Sequence, residues 1–127
     1  MKAFFSLLSI CLFVHFANAN PTAAEVRKAV GADRGVVVIL GKDAWPLASA
    51  LVKSTQLTLL VQTADAAAVA KMQRQAADAG LLGSRVYVEH SGGRIHLGRH
   101  LADGVIVGAG AEAGDVARVA RPGAAIY

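Results

Sequence analysis

The pattern of apolar and polar positions changes character several times along the chain. "GVVVIL", residues 35–40, is apolar at every position after its glycine and rich in β-branched side chains. A strand with no polar face has to be covered on both sides, which predicts a central strand of a parallel sheet. "LTLLV" (57–61) predicts a second strand and "RVYVEH" (85–90) a third. "GVIVGAG" (104–110) predicts a fourth with its exit turn, and "AAIY" (124–127) a fifth that is cut short.

Helical patterns fill the gaps. "PTAAEVRKAVG" (21–31) predicts a helix, with Thr22 as N-cap, Glu25 completing a capping box, and Gly31 as a left-handed stop. "AWPLASALVKS" (44–54) predicts a short helix that tolerates Pro46 in its first turn. "ADAAAVAKMQRQAADAGLLG" (64–83) predicts a long one, capped by Asp65, with Ala68, Met72 and Ala76 on one face and Val69 beside them. At helical spacing Met72 is core filler. "SGGRIHLGRHLAD" (91–103) is polar and glycine-rich, so it predicts a loop with at most one helical turn. "AEAGDVARVARPG" (111–123) predicts a last helix ended by Pro122 and Gly123. Strands alternating with helices imply βαβ units, a parallel sheet and right-handed crossovers.

The first nineteen residues change that picture. "MKAFFSLLSICLFVHF" has Lys2 and then a short apolar run, and "ANA" places small residues at Ala17 and Ala19. This is the pattern of an export signal cut after Ala19, and the run is shorter than the ~20 apolar residues of a spanning helix. The expectation is a periplasmic or secreted protein whose domain covers residues 20–127. Cys11, the single cysteine, leaves with the signal, so the mature domain has no disulfide and relies on its core alone. Ile10 stands where lipid attachment to Cys11 requires a small residue. Loss of Lys2 takes the net charge from +4 to +3. Arg85, Arg94, Arg99, Arg118 and Arg121 are spread out without interleaved aromatics, which argues for a solvated surface and against a nucleic-acid partner.

The order of the segments, and the phrases "GLLGSRVYVEH", "LADGVIV" with Asp103 before its apolar run, and "VARVARPGAAIY", resemble the class I S-adenosylmethionine-dependent methyltransferases across residues 33–127. The resemblance implies a three-layer α/β Rossmann-like fold of about five parallel strands, with the C-terminal part of the methyltransferase core missing. That leaves one sheet edge uncovered and open to pairing with another segment. More narrowly, the chain is similar to methyltransferase-like modules at the front of exported bacterial proteins that carry a PQQ-like β-propeller. This implies a fragment whose sheet is completed by a downstream propeller or another segment.

The family resemblance also implies where a cofactor is held. Gly41, Lys42 and Asp43, in "GKDAW", match the turn at the methionine end; Gln62 and Thr63 match the ribose position; Ser91 matches the adenine position. The family's pattern has a second glycine in the turn, an acid after the second strand and another after the third. Here a lone Gly41, Gln62–Thr63 and "HSGG" stand in those places. A hydrogen bond to a charged acceptor contributes about 1.5–3 kcal/mol and a neutral one about 1, so loss of the ribose carboxylate weakens binding ~10-fold or more. The expectation is a degenerate S-adenosylmethionine site, weak or lost, in a structural or interaction module without catalytic residues. An active methyltransferase of unknown acceptor is the rival, and a nucleotide-binding module without chemistry is a third reading. As the family's biology implies, S-adenosylmethionine is a cytoplasmic compound, so export argues against use of it.

Other constellations carry less. His96 and His100 share a face only if their stretch is helical, and Gly98 between them speaks against that, so with His90 and Glu89 they predict no metal site. "GAGAEAG" (108–114) follows a strand but lacks the glycine spacing and the later acid of a dinucleotide turn. Ser91 lacks the strand–turn–helix setting of a nucleophile elbow. Trp45, at a helix start, packs against its own domain or stacks on a base.

Overall fold

The computed structural model describes residues 21–108 and 114–127. The predicted export signal and most of the glycine-rich stretch 108–114 lie outside these residues. The elements run α1 (Ala23–Val30), β1 (Val36–Leu40), α2 (Trp45–Ser54), β2 (Thr58–Thr63), α3 (Ala66–Asp78), β3 (Val86–His90), β4 (Ala102–Val107), α4 (Val116–Val119) and β5 (Ala120–Ile126). The strands form one sheet in the order β3-β2-β1-β4-β5, and every pair is parallel.

β1 is central because its sequence leaves no alternative. Val37 and Ile39 enter one apolar cluster and Val38 and Leu40 the other, so both faces of the strand are buried. The first cluster is built by α1, α2 and α3, through Val26, Val30, Leu51, Val52, Val69 and Met72. Helices thus cover this face from end to end. The opposite face has no helix between β3 and β4; the loop 91–101 crosses it, burying Ile95, and α4 adds Val116 and Val119. The result is a three-layer α/β fold with one thick and one thin outer layer.

The N-caps and the Gly31 stop act as the sequence predicts, but among the described residues the Glu25 carboxylate makes no return bond to complete the capping box. The Thr22 hydroxyl accepts from the Glu25 amide at 3.2 Å, and Gly31, at φ 73°, donates its amide to the Arg27 carbonyl. The Asp65 carboxylate accepts from the Ala68 amide at 3.0 Å. Met72 is 2% exposed in the core, and Trp45 packs partly against that same cluster.

The end of the chain differs from expectation. In place of a helix up to Pro122, the described residues form only the four-residue α4, and β5 begins at Ala120 and runs through Pro122 and Gly123. Proline is tolerated there because β5 is an edge strand, where its missing N–H withdraws no ladder hydrogen bond. The register shifts between Ala102 and Gly104, and Gly123 sits at φ 80°, so the Pro-Gly pair is taken up as an irregularity within the strand. β4 also starts two residues before the predicted Gly104, which places Asp103 inside it. Its carboxylate accepts from the Val36 amide at 2.9 Å and pairs with Arg121, tying β1 and β5 to β4.

Candidate functional site

The chain steps outward from β1 to β2 and β3, then returns to place β4 on the other side of β1. In open parallel sheets the crevice at such a reversal, outside the carboxyl ends of the strands, is where ligands bind. Here that point lies between the exits of β1 and β4, and its floor is main chain. Gly41 donates its amide to the Gln62 carbonyl at 2.9 Å, and Gly108 donates to the Leu40 carbonyl at 2.7 Å. A Cβ on Gly108 meets the Leu40 oxygen at 2.6 Å. A Cβ on Gly41, which sits at φ 136°, meets the Gly108 Cα at 3.4 Å. Close passage of two backbones therefore accounts for Gly108, and the positive φ accounts for Gly41.

Above this floor is a cleft of about 410 Å³. Ile39, Leu40 and Ile106 of the strands line it, with Gly41, Lys42 and Asp43 of the turn, Leu47 and Ala50 of α2, and Thr22 and Ala23 at the start of α1. No side chain caps the α2 amides, and no acidic residue occupies its first turn. Lys42 and Asp43 are exposed at the rim.

Gly41, Lys42 and Asp43 thus share one cleft. Gln62, Thr63 and Ser91 do not line it. They lie farther along the carboxyl edge of the sheet, where Gln62 is in register with Leu40 and the Ser91 amide donates to the Thr63 carbonyl. The Gln62 side chain is 2% exposed and engaged at both ends. Its Nε2 donates to the Arg94 carbonyl at 3.2 Å, and its Oε1 accepts from the His96 amide at 2.7 Å. The Ser91 hydroxyl donates to the Arg94 carbonyl, and the Thr63 hydroxyl accepts from the Asp65 amide at 3.3 Å.

The loop 91–101 is clasped from its other side too. Asp115 accepts from the Ile95 amide at 2.8 Å and pairs with Arg118 at 2.7 Å. Arg118 reaches the Ile95 and Leu97 carbonyls. The Arg118 hydrogen bond, helped by the Ile95 amide, holds the Asp115 carboxyl well below the usual carboxylate range, and Asp115 pushes the Arg118 guanidinium up. No helix forms over 91–101, so His96 and His100 do not share a helical face. His96 instead sits 2.6 Å from Glu89, and His90 contacts the Ala64 carbonyl at 2.9 Å.

Sequence reasoning missed two things: the cleft walls supplied by Ile106, Leu47 and Thr22, and the Asp115–Arg118 clasp. The walls left no signal, because Ile106 on a strand and Leu47 on a helix read as core, and Thr22 reads as a helix cap. Asp115 and Arg118 are three apart, a spacing that permits a pair on one helical turn.

No protein-family profile and no curated protein matches the chain. Its fold does have solved counterparts. One, assigned as an S-adenosyl-L-methionine-dependent methyltransferase from Methanococcus maripaludis, gives a TM-score of 0.68 at 17% identity, covering 78% of this chain and 49% of that one. A SAM-dependent methyltransferase from Aquifex aeolicus gives 0.59 at 17%, covering 79% and 58%. Geranyl diphosphate methyltransferase, solved in complex with SAM, gives 0.58 at 12%, covering 67% and 35%. The chain spans between about a third and three-fifths of the length of these structures. The architecture is therefore the Rossmann-like fold of the class I S-adenosylmethionine-dependent methyltransferases. At these identities the likeness defines the fold, and function has to be argued from the site.

Proposed function

We propose that this chain is a methyltransferase-like module that transfers no methyl group and serves a structural or interaction role within a larger exported protein. The observation that carries the reading is the commitment of Gln62. The fold's ribose position calls for an acceptor facing the ligand, whereas Gln62 is buried and spends both ends of its amide on the loop 91–101. The Ser91 hydroxyl donates its proton to the Arg94 carbonyl, and the Thr63 hydroxyl accepts from the Asp65 amide. With its amide committed at both ends, Gln62 does not fit the sugar of S-adenosylmethionine. The leader at residues 1–19 supports the same reading from a separate part of the chain. A downstream segment, such as a propeller, that pairs with the β5 edge is the partner this proposal names.

Titration calorimetry of the purified protein with S-adenosylmethionine and S-adenosylhomocysteine tests it. The expected result is no binding tighter than millimolar. Micromolar binding of either compound overturns the reading in favour of an active methyltransferase. Binding of NAD or an adenine nucleotide in their place selects a nucleotide-binding module.

A further inference from the structure

We infer that the two edges of the sheet are not equivalent: β3 is closed to strand addition by α3 and the turn that follows it, with Gln73 as the closing residue, so a partner strand is directed to β5. The direction to β5 rests on the reading above, that a further segment pairs there; the closure of β3 stands without it. Three observations carry the closure.

The first is which backbone groups face outward. In a parallel ladder, alternate residues turn their amide and carbonyl to the same neighbour. The Leu59 amide donates to the Arg85 carbonyl at 2.9 Å, and the Ser91 amide donates to the Thr63 carbonyl at 3.0 Å, so the odd-numbered residues 85–91 serve β2. Val86, Val88 and His90 therefore turn their groups toward the free edge. The second is the turn 81–83. The Val86 amide donates to the Leu81 carbonyl at 3.0 Å, and the Val86 carbonyl accepts from the Gly83 amide at 3.0 Å. Leu82 stands beside Val86 as a one-residue parallel bridge, in the place of an added strand.

The third is Gln73 of α3, whose Nε2 donates to the Val88 carbonyl at 3.0 Å. It occupies the acceptor at the middle of the edge. Among the described residues this leaves only the Val88 amide and the backbone of His90, short of the run of donors and acceptors that strand addition uses. Covering an edge in this way blocks pairing with another chain. β5 has no such cover. Tyr127 donates to Val105 and accepts from Val107, so Ile126 faces outward, and among the described residues nothing bonds its backbone. What fits β5 is an extended segment that supplies main-chain donors and acceptors.

The test is self-association of purified Gln73→Ala, read by sedimentation velocity and by amide NMR shifts as protein concentration rises. Alanine is the best helix former, so α3 is kept while the Val88 carbonyl is freed. A second copy supplies the added strand: two β3 edges meeting on a two-fold axis pair antiparallel, and each copy contributes one freed carbonyl. The expected result is an association constant at least about tenfold above the parent's, with shifts at Val88 and His90. Gln73→Lys, which restores a donor with the reach to meet Val88, should return association to the parent's value. Association of Gln73→Ala within about twofold of the parent's overturns the inference. So does association that shifts Ile126 in place of Val88, or Gln73→Lys associating as strongly as Gln73→Ala. Calorimetry with S-adenosylmethionine reads the functional proposal separately, so either can fail without the other being mistaken for it.

Discussion

Replacing Gln62 with methionine keeps the side-chain volume and removes both of its hydrogen bonds to the loop 91–101. The His96 amide loses its 2.7 Å acceptor and the Arg94 carbonyl its 3.2 Å donor, though Ser91 still donates to that carbonyl. A net contribution of about 0.5–1.5 kcal/mol per bond puts the loss near 2 kcal/mol. The site is dry, with Gln62 only 2% exposed, so water does not readily replace the missing partners. With a urea dependence of about 1.5 kcal/mol per M for a domain of this size, the midpoint should fall by about 1.3 M. Hydrogen exchange at the His96 amide should quicken together with this fall. A midpoint shift below about 0.3 M, with His96 exchange unchanged, would refute the claim that Gln62 serves the loop. Gln62→Glu separates the two roles further. It keeps an acceptor for His96 and loses the donor to Arg94, so it should cost stability while leaving S-adenosylmethionine unbound, even though it supplies the carboxylate the ribose position lacks.

Two further outcomes follow from the geometry. Gly108→Ala forces a Cβ to within 2.6 Å of the Leu40 oxygen and should destabilise by about 2–3 kcal/mol in urea unfolding, whereas Gly92→Ala, whose Cβ meets nothing within 4 Å, should stay within about 0.5 kcal/mol of the parent. Asp115 has a folded-state pKa below its unfolded value of about 3.9, so its contribution is present above that value and disappears as pH falls through the folded one. The stability gap between the parent and Asp115→Asn should therefore be constant from about pH 5 to 8 and shrink below about pH 4, as read from urea midpoints across pH.

Much of the fold was legible because its signals are local. The unbroken apolar run 36–40 required burial on both faces, and Thr22, Gly31 and Asp65 marked helix ends that the structure reproduces. Where the sequence misled, tertiary pairing overrode a local rule. Pro122 and Gly123 read as a helix stop, yet pairing with β4 draws them into a strand whose outer side is free to accept a proline. The candidate site was legible only at the turn 41–43. Gln62 could be located at the end of a strand, but the partners of its amide lie 32 and 34 residues away in a loop without periodicity. No local pattern records such a bond.

The meeting of Gly41 and Gly108 fixes something about how this cleft can change over time. Where the two glycines meet, the base is peptide, and a side chain there closes the gap between the strand exits. The rest of the cleft is lined by side chains, Ile39 and Ile106 from the sheet and Thr22, Leu47 and Ala50 from the first two helices. Selection can thus retune what enters at the walls, while the glycine contact between β1 and β4 stays as it is.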